Sequence, residues 1–161
     1  MSMGYPELVG ATINVSSGPT EGGQSSFSAI QEIVGILLSD PMTDWSRVNI
    51  EALRQHLIDM NNVTMFANVD IEDIEGGARF TVFSEDPKVS ASIKRMSYAH
   101  TATMNGAMGW ELTSEPTENG TILTAVGNAD ILRALGFVGL MTVGAHHPQH
   151  HLALAQGFMP H

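Results

Sequence analysis

From Ser26 the apolar positions Phe27, Ile30, Val34 and Leu37 recur every three or four residues until Asp40-Pro41 interrupts them, which is the spacing of one helical face. A second helix is expected from Asn49, whose side chain suits an N-cap, to about Asn61, with Ile50, Leu53, Leu57 and Met60 as its stripe. The period then falls to two. Val63, Met65, Ala67 and Val69 alternate with Thr64, Phe66, Asn68 and Asp70; beyond Glu75-Gly76-Gly77, Phe80 and Val82 alternate with Arg79, Thr81 and Phe83, so an antiparallel pair is expected. Asp86-Pro87 opens the longest helix, a capping residue followed by the residue best tolerated in a first turn, and Asn105-Gly106 closes it. Trp110 and Leu112 start a third strand, Glu118-Asn119-Gly120 turns the chain and Thr121 to Val126 form a fourth. Ile131, Leu135, Val138 and Met141 or Thr142 then give the core stripe of a helix from about Asn128 to Gly144.

Residues 63 to 105 and 109 to 145 thus share one order of strand, turn, strand and helix, with GARFTV aligning on GTILTA. Duplication of one unit and chance recurrence both produce that order. The expected architecture is a two-layer α+β domain of ferredoxin-like class, ββαββα, over residues 26 to 161: a four-stranded antiparallel sheet preceded by two helices and followed by a short C-terminal helix. The pattern leaves strand order open. It also sets Phe66, Phe83 and Leu123 opposite Met65, Phe80 and Ile122, so both sheet faces carry large apolar residues, unlike a sheet with one wet face. Either the two leading helices or a second subunit would cover the second face, and a homodimer is the expected partner state.

Residues 1 to 25 read as a leader, rich in Gly, Ser and Thr between Val9 and Ser26. Within it Val9 to Val15 has the alternation of a strand-like arm that would pair with a neighbouring subunit. Seven Lys and Arg against seventeen Asp and Glu give a net charge of -10, which repels phosphate backbones and anionic lipid, so no nucleic-acid partner is expected. No apolar run approaches the ~20 residues of a membrane span, and membrane insertion is not expected. The absence of cysteine excludes disulfides, thiolate nucleophiles, iron–sulfur clusters and Cys-type zinc sites. Together with the polar leader, it fits a periplasmic or secreted chain after processing.

Histidine carries the candidate chemistry. Four of the seven lie in Ala145-His146-His147-Pro148-Gln149-His150-His151, and neutral imidazole is the commonest protein ligand for divalent transition metals. With Pro148 in the first turn of a short helix, His150 and His151 project from it about 100° apart, and Leu152-Ala153-Leu154-Ala155 is apolar enough to dock that helix on the domain. In the long helix the stripe Val89, Ile93, Met96, His100, Met104 faces His100 to the core with a thioether one turn away on each side. His100, His146 and one of His147, His150 and His151 would converge on one ion if the two helices after the hairpins are neighbours. His56 and Met60, one turn apart, are a second candidate pair.

The expected function is therefore transition-metal binding, with the protein as carrier, sensor or buffer. Imidazole with thioether favours copper, and imidazole with carboxylate favours zinc, nickel or iron. Noncovalent haem is compatible, since His and Met are its axial ligands. Protons compete for the same nitrogens, so binding would weaken below about pH 6 to 6.5. Two alternatives stand beside it: a dimeric binding domain for a small apolar ligand or protein partner without metal, and a metal-dependent enzyme with an open coordination position. The sequence carries no Gly-x-Ser-x-Gly, Walker, Gly-x-Gly-x-x-Gly or His-Glu-x-x-His motif, and the carboxylates Asp70, Glu72, Asp73 and Glu75 sit at a hairpin where solvation explains them.

Overall fold

The computed structural model describes residues 22–143 and 147–158. Helices α1 (Gly22–Ser39) and α2 (Ile50–Phe66) precede the hairpin β1 (Asn68–Ile74) and β2 (Gly77–Phe83), followed by α3 (Pro87–Met104). A second hairpin, β3 (Glu111–Thr117) and β4 (Gly120–Val126), leads to α4 (Ala129–Thr142) and the short α5 (His147–Ala155). The expected two-layer α+β fold is the observed one. Its connectivity is ββα twice, and the sheet is antiparallel throughout in the order β1-β2-β4-β3, with the inner strands of the two hairpins side by side at the centre.

The caps explain most boundaries. Asn49 accepts a hydrogen bond from the Ala52 amide, Asp86 from Lys88 with Pro87 at the first helical position, and Asn128 from Ile131. Three expectations are corrected. No strand begins at Val63: α2 continues through it, because Val63 extends the Leu53, Leu57, Met60 stripe by another turn and buries itself in the sheet core, 3% exposed. Leu123 does not share a face with Phe66 and Phe83 but lies in the core beside Phe80, while Phe66, at the end of α2, is exposed. In α4 the buried residues are Leu132, Phe137, Leu140 and Met141, and the expected stripe Ile131, Leu135, Val138 is partly exposed. The cause is Gly136, whose φ of 67° and ψ of -174° break the helix and rotate its second half relative to its first. On α1, Ile33 and Leu37 are buried, whereas Phe27 is exposed.

The two halves obey one register. The second inner strand repeats the first 43 residues on, Gly77 to Gly120 and Phe83 to Val126. Both hairpins have two-residue loops, Glu75-Gly76 and Glu118-Asn119, and Phe80 pairs with its counterpart Leu123 at the middle of the central pair. Both sheet-packing helices lie on the face that carries Ala78, Phe80, Val82, Leu123 and Ala125, with α3 mainly over the second hairpin and α4 mainly over the first. Each ties down the turn beneath it: Lys94 donates to the Glu118 carbonyl at 2.9 Å, and Arg133 to those of Ile74 at 2.8 Å and Gly77 at 3.0 Å. A second apolar cluster joins α1, α2 and α5 through Ile33, Leu37, Leu53, Leu57 and Ala155. Among the described residues no helix is long and apolar enough to cross a membrane.

Candidate functional site

The apolar tail of the histidine tract docks as its composition predicts. Leu154 and Ala155 are buried, the Ala155 carbonyl accepts from the Asn49 amide at 2.7 Å, and the Arg47 guanidinium lies 5.2 Å from the Phe158 ring centroid. Gly157 ends the helix with φ of 92°, where a Cβ would strike the Arg47 carbonyl. These ties hold α5 against α2.

At that seam the histidines of the two helices meet. His56, buried on α2, has its ring centroid 4.7 Å from that of His150 and 5.6 Å from that of His151, both edge-to-face at 66°. His56 and His151 are 7% and 8% exposed. Met60, one turn along α2, is partly buried in the same apolar cluster as Leu152 of α5. Three imidazoles from two helices therefore share one apolar seam. Among the described residues no group of three His, Asp or Glu side chains stands as a ready ligand set for a metal ion.

A polar clamp that the sequence gives no sign of ties α2 to α3. Asp59, three residues after His56, accepts from both Nε and Nη2 of Arg95 on α3, at 2.9 and 2.7 Å, and from Ser92 Oγ at 2.7 Å; Asn62 donates to the same Ser92 at 3.0 Å. Burial pushes the Asp59 carboxyl up, but the hydrogen bonds from Arg95, Ser92 and Gln55 and the charge of Arg95 outweigh it and hold the carboxyl below its ordinary value of 3.8. The clamp sets the height and rotation of α2, and with it the position of His56.

The other expected ligands go elsewhere. His100 donates from Nε2 to the Leu140 carbonyl at 2.9 Å and so fastens α3 to α4. Met104 is buried in the sheet core and Met96 packs against that core, a cluster distinct from the one that joins α2 and α5. His146 lies outside the described residues, and His147 is placed as the first residue of α5. Of the expected set, the structure brings together the rings of His56, His150 and His151, while His100 Nε2 meets the Leu140 carbonyl. The carboxylates of β1 face solvent, with Glu72 and Asp73 near Arg79 and Arg133 at 3.3 and 3.5 Å. No family model, curated protein or solved structure matches the chain.

Proposed function

We propose that the protein binds one transition-metal ion at the α2–α5 seam through His56, His150 and His151, and serves as a carrier, sensor or buffer for it. The observation that carries this reading is the spacing of the His150 and His151 rings from that of His56. Two imidazoles on a tetrahedral ion, with metal–nitrogen bonds of about 2.0–2.1 Å, have ring centroids about 5 Å apart. The separations of 4.7 and 5.6 Å from His56 bracket that distance. Binding then asks for rotation of the rings about their side-chain torsions, with the two helices staying in place.

The surroundings favour copper. Asp59, three residues along α2 from His56, is engaged by Arg95 and Ser92, so imidazole with the Met60 thioether is the donor set we assign, a combination soft enough for copper in its reduced state. Rings packed on one another also suit a bare ion better than haem, whose axial histidine needs a flat open pocket. The test is elemental analysis of untagged protein purified without chelators or metal resin, followed by thermal unfolding with added copper or zinc. A near-stoichiometric ion is expected, with a stability gain of about 2.7 kcal/mol at a hundredfold excess over Kd. Metal-free protein whose unfolding does not respond to either ion would end the reading.

One observation favours a second reading, a binding domain for an apolar ligand or protein partner. Phe83 and Ile122 lie half-buried on a sheet face that no helix among the described residues covers. An Ile122→Asp variant that abolishes self-association or ligand capture, without lowering metal affinity, would select it.

A further inference from the structure

The two outer edges of the sheet are equivalent under the internal repeat, and they are not equally protected. Alternation of hydrogen-bonded pairs turns the outward N–H groups of β3 to positions 112, 114 and 116, and those of β1 to 69, 71 and 73. The β3 edge is closed at two of its three outward positions: Leu112 donates to Asn105 Oδ1 at 2.9 Å, and Pro116 has no N–H, which leaves Ser114 as its one open amide among the described residues. On β1 the corresponding residues are Val69, Ile71 and Asp73, all with N–H groups, and no acceptor among the described residues pairs with them. Ile71 points to the helix-covered side opposite Phe80 yet is 55% exposed, where its counterpart on β3 is Ser114.

Charge narrows what can occupy this edge. A second β1 laid antiparallel across Ile71 would set Asp70 against Glu72 twice over, like charges face to face, which disfavours symmetric edge pairing. An uncharged strand meets no such repulsion. Residues 9–15, VGATINV, lie outside the described residues, match β1 in length, carry no charge and alternate Val9, Ala11, Ile13 and Val15 with Gly10, Thr12 and Asn14. Added beside β1, one set would cover Ile71 and the other would face Asp70 and Glu72 with polar, uncharged groups. The helix into which this segment leads, α1, packs on α2 and α5 rather than on the sheet. Six residues, reaching about 20 Å at full extension, separate Val15 from Gly22, a tether long enough to cross to a neighbouring molecule.

We infer that the outer edge of β1 is a docking site for residues 9–15 of a second copy, reciprocal exchange giving a dimer. This is independent of metal binding. The test uses the full chain, with amide hydrogen exchange resolved by residue and sedimentation at matched concentration. The expected result is a dimer in which the Val69, Ile71 and Asp73 amides exchange at least about tenfold slower than that of Ser114, and an Ile13→Pro variant that is monomeric and loses this protection. Ile71→Lys should do the same from the other side of the contact. A monomer, β1 amides as fast as Ser114, or a dimer and protection that both survive Ile13→Pro would each overturn it.

Discussion

Gly77 and Gly120 are counterparts in the internal repeat, and each is glycine for the same reason. A Cβ on Gly77 would fall on the carbonyl of Ala125, and one on Gly120 on the carbonyl of Val82, itself the counterpart of Ala125. The central strand pair can close at its present distance only if both positions lack a side chain. Gly77→Ala and Gly120→Ala should therefore each lower stability by about 1–3 kcal/mol or more in urea unfolding, since the obstacle is backbone rather than a movable side chain. Gly35→Ala, on the exposed side of α1 with open space around it, should raise stability by about 0.5–1 kcal/mol.

The clamp on α2 predicts an acid response. A carboxyl held lower in the folded chain than in the unfolded one contributes stability that is complete above the ordinary value of 3.8 and is lost as pH falls through the folded value. Arg95→Ala should cost about 1–3 kcal/mol at neutral pH, chiefly because buried Asp59 loses two of its donors, with little from the half-exposed arginine itself. Urea midpoints followed from about pH 6 to about pH 3 should show the wild type falling more steeply than Arg95→Ala, so that the curves converge in acid. Parallel curves would show that Asp59 is not the group responsible.

His100 predicts a separation of stability from ligand binding. His100→Ala removes the tie to the Leu140 carbonyl, which keeps a second partner in the Val143 amide, so the loss should be modest, about 0.5–1.5 kcal/mol. Metal affinity measured by titration should be unchanged. A fall in affinity as large as that of a His150 variant would return His100 to the ligand set.

Gly136 predicts strain. Its φ of 67° and ψ of -174° lie in a region open essentially to glycine, so Gly136→Ala should cost about 1–3 kcal/mol and disturb the burial of Phe137, the largest core residue of α4. Near-ultraviolet dichroism and urea unfolding together would register both effects.

These elements also mark what the sequence could and could not convey. Asp86-Pro87, Asn49 and Asn128 act locally, through bonds to amides two or three residues on, and their helix starts were legible. The alignment of GARFTV on GTILTA corresponds residue for residue with the repeat in the sheet. Val63 was ambiguous because it both continues a helical stripe and begins a period-two run, and tertiary packing decided for the helix. A lone glycine in Leu135-Gly136-Phe137 reads as an interior helix residue, so the kink that turns the stripe outward left no trace in the pattern. The Asp59–Arg95 pair is 36 residues apart, and no periodicity links such positions. Likewise, the histidine tract announced itself by density, but its meeting with His56 depends on how α5 docks, which only the packing of Leu154 and Ala155 decides.

The most direct test of the central claim is calorimetric titration of the full chain with copper and with zinc, wild type against His150→Ala and against His56→Gln, each variant first checked for an unchanged far-ultraviolet spectrum. One ion per wild-type chain is expected, and loss of either imidazole should weaken binding by at least about tenfold, the size of effect a lost or misplaced ligand contact brings. Stoichiometric binding that both variants retain at full strength, or no binding by the wild type, would contradict the assignment of the α2–α5 seam as a metal site.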